Sequence, residues 1–169
     1  MTNDKIIIQP IALAHARSFH ACLDTVAREL RYLAQLAAPP LDKMTDFVRD
    51  CVANDLPQFV ALVDEQVVGW ADVLPHWAPA LAHRGSLGMG ILPAWRGQGL
   101  GGRLLEACIT KAWGRGISRI ELEARADNAN AISLYERLGF VHEVTHQRGM
   151  YMDGQYFDTR QMCLLKPDV

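Results

Sequence analysis

The chain has 169 residues, half of them hydrophobic and about a fifth charged, with a net charge of -2 and a pI near 6.3. That length and mix fit a single domain, residues 1–169, with its own core. The balance of charge excludes the basic field of a nucleic-acid binder and the acidic surplus that would seek a polycation.

No apolar run reaches the length of a membrane span, and Met1-Thr2-Asn3-Asp4-Lys5 lacks the basic start and apolar stretch of a signal peptide. Cys22, Cys51, Cys108 and Cys163 are far apart, which reads as reduced thiols in a cytoplasmic protein. His142 and His146 are four apart, but in a segment that reads as strand or loop. They are taken as a solvated face, and no metal is expected.

Residues 6–8 predict a first strand, stopped by Pro10. Residues 12–36 are helical in pattern, with a break near Asp24, and Pro39-Pro40 ends that stretch. In the next helix Met44, Phe47, Val48, Cys51 and Val52 recur at the spacing of one buried face. Residues 58–63 and 67–74 form a hairpin across Asp64-Glu65-Gln66, residues 75–84 a loop, and residues 86–92 a fourth strand closed by Pro93. A glycine-rich turn then opens a helix with Leu104, Leu105, Cys108, Ile109 and Ala112 on its apolar face, ended by Gly114 and Gly116. Residues 117–125 alternate, with Ile120, Leu122 and Ala124 on one face and Glu121, Glu123 and Arg125 on the other. Asp127 or Asn128 caps a short helix that ends at Gly139. Strands over 141–151 and 156–165 close the chain, joined by Asp153-Gly154. This order makes a mixed α/β sheet.

Arg96-Gly97-Gln98-Gly99-Leu100-Gly101-Gly102-Arg103 has the composition of an anion site. Glycines let the backbone approach a phosphate, and a helix start offers free N–H groups and the positive end of its dipole. Gly97, Gly99 and Gly102 also satisfy the dinucleotide pattern G-x-G-x-x-G, with Glu121 or Glu123 near the ribose position. That reading fails because Pro93-Ala94-Trp95-Arg96 separates the strand from the first glycine, and too little chain remains for a second nucleotide half. A P-loop fails because Arg103-Leu104 stands where Lys-Ser/Thr is required.

Arg96-x-x-Gly99-x-Gly101 resembles the R/Q-x-x-G-x-G/A signature of the GNAT family of N-acetyltransferases. The likeness extends upstream over Leu87–Trp95 and downstream over Leu122–Phe140, which ends in the pattern N-x-x-A-x-x-L-Y-x-x-x-G-F. The resemblance implies a mostly antiparallel sheet flanked by helices, with its fourth and fifth strands parallel and splayed. It implies acetyl-CoA as cosubstrate, the pyrophosphate held by Arg96, Gly97, Gln98, Gly99, Leu100, Gly101, Gly102 and Arg103. Met89, Gly90 and Ile91 are implied along the pantetheine arm, and Gly90 as the point of close approach. Asn128 matches a cofactor-contacting asparagine that can equally cap the helix, while Asn130 reads as helix surface.

Tyr135 falls where the family carries the acid that protonates the departing thiolate; an ordinary phenol is protonated at neutral pH. Glu123 matches the general base of the ribosomal-protein-alanine N-acetyltransferases, acting directly or through water. Its alternative is a charge on a solvated strand face. For the acceptor, Glu29, Arg31, Tyr32, Trp77 and His83 are candidate wall residues, each equally readable as surface charge or core aromatic. A small primary amine such as an amino acid is the expected acceptor, and a protein N-terminal amine the second reading. A non-catalytic CoA-binding sensor is the rival class. The apolar Met162-Cys163-Leu164-Leu165 segment is a candidate homodimer surface.

Overall fold

A computed structural model describes residues 6–168; the N-terminal segment read for a leader lies outside the described residues. Strand β1 (Ile7–Pro10) is followed by a 3-10 turn and helix α1 (Ala16–Ala27), then α2 (Leu41–Ala53). Strands β2 (Gln58–Val63), β3 (Gln66–Pro75) and β4 (Arg84–Ile91) precede α3 (Leu100–Gly114). Next come β5 (Arg119–Arg125), α4 (Ala129–Arg137), β6 (Val141–Met152) and β7 (Gln155–Leu165). They form one seven-stranded sheet in the order β1-β2-β3-β4-β5-β7-β6. Every neighbouring pair is antiparallel except β4–β5. The predicted mixed sheet, with its parallel central pair, is therefore present.

The sheet divides two cores. On one face Leu104, Leu105 and Cys108 of α3 and Ile132 of α4 pack on Ile120 and Leu122 of β5. On the other, Phe19 and Leu23 of α1 and Val48 of α2 pack on Val60 and Trp70. The alternation of β5 is thereby explained, since Ile120, Leu122 and Ala124 enter the α3/α4 core and Glu121, Glu123 and Arg125 leave it on the other face.

Three local expectations need correction. The first helix ends at Ala27, not Leu36. Leu30 adopts φ 50°, and the Asp24 carboxylate accepts the Arg28 Nε–H at 2.8 Å and the Ala38 backbone N–H at 2.9 Å, folding residues 28–40 back over α1. Val52 lies outside the buried face of α2, because it follows the buried Cys51 by one residue and so turns about 100° away. The β2–β3 turn is two residues, not three: Asp64 and Glu65 have φ 47° and 63°, and Gln66 already pairs with Val63.

Strands β4 and β5 pair only at Arg84–Arg119, Gly85–Ile120 and Ser86–Glu121. An ion network ties this closed end: Arg84 donates to Glu121 at 2.7 Å, and Arg119 to Glu121 and Glu143 at 2.5 Å each. Beyond it, residues 87–91 have no strand partner on the β5 side. Met89 and Ile91 turn into the α3/α4 core, where Gly101 and Leu134 meet them.

Candidate functional site

The glycine-rich turn is built at the open end of the parallel pair. Gly97 and Gly99 have φ 73° and 78°, and a β-carbon at either would meet nothing within 4 Å. Backbone conformation, not crowding, therefore requires these two glycines. Gly99 is the N-cap of α3, whose first helix-closing bond runs from Arg103 N–H to the Gly99 carbonyl at 3.3 Å. The backbone N–H groups from Gly97 through Gly102 find no acceptor among the described residues. A row of free amides at the positive end of a helix dipole is a cradle for phosphate oxygens.

The side chains of the turn serve other ends than the sequence suggests. Leu100 is buried in the core, and a β-carbon on Gly101 would stand 2.9 Å from Leu134 and 3.3 Å from Met89. Gln98 donates to the Ala94 carbonyl at 3.2 Å, and Arg103 points away, to the Ile6 carbonyl at 3.3 Å. Arg96 donates to the Ile91 carbonyl at 2.9 Å and grips Glu29 with both terminal nitrogens at 2.9 and 2.5 Å. Its charge is thus paired, and the positive field of the turn comes from the amides. Glu29, expected in the acceptor wall, instead braces the turn.

Gly90 is also a glycine for a different reason than expected. A β-carbon there would lie 2.2 Å from the Trp70 indole, which crosses Gly90 and packs edge-on against Phe19 at 5.5 Å. A tryptophan on the paired strand, at the register Trp70–Gly90, occupies the space a side chain would need.

On α4 the Asn128 side chain accepts from Ala131 N–H at 3.4 Å as the N-cap, and Asn130 is exposed. Tyr135 has a buried ring, 5.8 Å from that of Phe140. Its hydroxyl has no hydrogen-bond partner among the described residues, and burial pushes its pKa up to about 12. The phenol is therefore a proton donor at neutral pH.

Glu123 is half-exposed and faces away from the α3/α4 core. Its Oε1 accepts from the Thr159 hydroxyl and from His146 Nδ1 at 3.0 Å. Desolvation raises the carboxyl pKa, but the bonds from Thr159 and His146 and the charge of His146 outweigh it, and the net shift is downward. His146, read from sequence as solvated surface, is a partner of the candidate base. Nothing local to the sequence announces this, because β6 and β7 must first pair with His146 opposite Thr159.

Arg125, on the charged face of β5, is buried. Its guanidinium lies 3.5 Å over the Phe157 ring and 5.2 Å from that of Tyr32. It donates to Asp127 at 2.9 and 2.6 Å and to the Arg31 carbonyl at 2.5 Å. Tyr32 is thus brought beside β5, with the Arg31 guanidinium 5.2 Å above its ring. Trp77 and His83 are not brought to the site. Trp77 is 89% exposed and stacks on His76, and the His83 carbonyl accepts Ser118 and Arg119 N–H at the closed end of the pair. Two broad surface depressions, beside α3 and beside the β2–β3 turn, touch neither Glu123 nor Tyr135.

A sheet opened between two parallel strands, with an amide cradle where one strand passes into a helix, is the frame of an acyl-CoA-dependent acyltransferase. Comparison with known proteins agrees: residues 23–140 match the model of the Acetyltransferase (GNAT) family. The chain is 30% identical over 161 residues to the L-amino acid N-acetyltransferase AaaT of Escherichia coli, covering 92% of this chain and 98% of that one. A shorter stretch of 59 residues, 35% of this chain and 39% of the relative, is 49% identical to the ribosomal protein bS18-alanine N-acetyltransferase of Escherichia coli. Among solved structures, a GNAT-family acetyltransferase of Streptococcus pneumoniae superposes with a TM-score of 0.88 at 24% identity, over 96% of this chain and 99% of that one. The chain belongs to the GNAT family and is an acetyl-CoA-dependent N-acetyltransferase.

Proposed function

We propose that this protein moves the acetyl group of acetyl-CoA to a primary amine of a small molecule such as an amino acid, by direct attack in a ternary complex, with residues 1–169 acting as one domain. The observation that carries the reading is the row of unpartnered amides from Gly97 to Gly102 at the open end of the β4–β5 pair. Acetyl-CoA supplies a thioester carbon for the amine to attack and a sulfur that leaves. The turn holds the pyrophosphate through its amides, ordered by the Arg96–Glu29 pair. The backbone of Met89, Gly90 and Ile91 takes the pantetheine arm as an added strand, and an N–H near Gly90 or Ile91 polarises the carbonyl. Glu123, ionised at neutral pH, accepts the proton the amine gives up, directly or through water. Tyr135 donates its proton to the sulfur. Proton count balances: one leaves the nitrogen as the C–N bond forms, and one reaches the sulfur as the C–S bond breaks.

The near full-length similarity to an L-amino acid N-acetyltransferase favours the small amine. The local 49% identity favours a protein N-terminal amine as the second reading. We place the reaction in the cytoplasm on the four buried, unpaired thiols. Surfaces available to a homodimer are the β6 edge, with exposed Val141 and Val144, and the exposed Leu165 of the C-terminal strand; Met162 and Cys163 are core residues. Sedimentation tests that assembly.

The deciding experiment is free-thiol release from acetyl-CoA across amino acids, small amines and N-terminal peptides, with CoA binding followed by calorimetry. Turnover with one class names the acceptor. Tight CoA binding without turnover leaves a CoA-binding sensor, and no CoA binding overturns the assignment of the turn.

A further inference from the structure

One buried carboxylate takes no part in the transfer chemistry. Asp72 of β3 is 9% exposed and has neither a hydrogen bond nor an ion pair from its side chain among the described residues. An isolated buried carboxylate costs several kcal/mol when charged, so such groups are rare without a partner. Its cross-strand neighbours are Gln58 on one side and Gly88 on the other. The Gln58 side chain is itself buried with both amide atoms unpartnered. Gly88 has no side chain, and a β-carbon there would stand 3.3 Å from Asp72 Oδ1 and 3.8 Å from Oδ2. Both carboxylate oxygens are thus aimed at the space over Gly88. Gly90, the next residue on that face, is covered by Trp70, so Gly88 is the open floor.

That floor lies beside the candidate base. Asp72 follows Trp70 by two residues and shares its face, the one packed by α1 and α2. Glu123 lies on the same face, because its neighbours Leu122 and Ala124 enter the α3/α4 core. Continuing the parallel register past its last pair, Ser86 with Glu121, brings Gly88 level with Glu123. One row across the sheet therefore reads Asp72, Gly88, Glu123, with the splay between the last two.

We infer that Asp72 is the amine-recognition residue of the acceptor cleft: it receives the acceptor's ammonium group over Gly88, across the splay from Glu123. This rests on the transferase reading above. A primary ammonium is compact, carries three donors and a full charge, and supplies what an unpartnered, recessed carboxylate lacks. Ammonium held there lies between a binding carboxylate and a proton acceptor, next to the strand proposed to carry the thioester. Asp72 positions the ammonium; its first proton passes to Glu123 and on to water, which frees the nitrogen lone pair, and Glu123 then takes the second proton as the C–N bond forms.

The test uses Asp72→Asn, which keeps shape and removes charge, and Gly88→Ala, which keeps the charge and covers it with a methyl group. Steady-state kinetics are measured with each substrate varied in turn at a saturating level of the other, and binding of the same amines to the protein–CoA complex is measured by calorimetry. Both variants should raise the acceptor KM about tenfold or more, with the KM for acetyl-CoA unchanged. A purely structural aspartate would not separate the two KM values in this way. Unaltered amine KM and affinity in both variants overturns the inference and leaves the transferase reading standing. Amine binding that is lost in Asp72→Asn, with no turnover by the unmodified protein, supports the site and sinks the transferase reading. No binding of any amine to the unmodified complex overturns the inference.

Discussion

Asp72→Asn also changes folding stability in a pH-dependent way. Burial raises the carboxyl pKa from 3.8 to about 7, with no compensating charge nearby. The folded protein holds the Asp72 proton more tightly than the unfolded chain does. This carboxyl therefore costs nothing below the unfolded pKa, and stability is lost as pH rises through the folded value. A shift of roughly three units corresponds to about 4 kcal/mol, of which about 3 kcal/mol falls between pH 5 and pH 8. The asparagine variant carries no such penalty. Denaturant unfolding of both proteins at pH 5 and pH 8 isolates it, because the other titrating groups cancel in the difference. The variant should gain about 3 kcal/mol on the parent over that interval, or roughly 10 °C in Tm for a chain of this size. A difference that stays flat with pH refutes the reasoning: it would mean that water or a partner already reaches the carboxylate and that burial does not penalise its charge.

Other outcomes follow from the same geometry. Tyr135→Phe should lower kcat by about 10²-fold or more while CoA affinity in calorimetry is unchanged, since the hydroxyl acts only as the sulfur leaves; full activity would remove Tyr135 from the mechanism. Gly99→Val should weaken CoA binding, because it forces a β-branched residue to φ 78° and puts a side chain over the amide cradle. Unaltered CoA affinity would show that the pyrophosphate is held elsewhere. Gly90→Ala should destabilise the fold by about 1–3 kcal/mol in denaturant melts, because the methyl group overlaps the Trp70 ring. Stability equal to the parent would mean that Trp70 moves freely. Thr159→Val removes a hydrogen bond that lowers the Glu123 pKa. The acid limb of the kcat/KM profile should then move to higher pH, and an unmoved limb would mean that Glu123 is not the group titrating.

The sequence by itself determined the parts whose contacts are local. The free amides of Gly97–Gly102 depend only on a helix starting at a left-handed glycine, so the turn was readable from residue spacing. Tyr135 and Asn128 were readable for the same reason, both being placed by one short helix with its cap. The alternation of Ile120, Leu122 and Ala124 carried the buried face of β5. What the tertiary structure alone decided are the pairs that meet across strands. Arg96 is held by Glu29, 67 residues away, and Arg125 is enclosed by Tyr32 and Phe157. His146 and Thr159 both reach Glu123 only because β5, β7 and β6 are neighbours in the sheet. A period-two pattern states that a residue leaves one core. It does not state what lies above the opposite face, so Arg125 and Glu123 looked alike in sequence and differ in the fold. Asp72 is the same case: only strand register sets a carboxylate opposite a glycine, and only the packing of α1 and α2 buries it there.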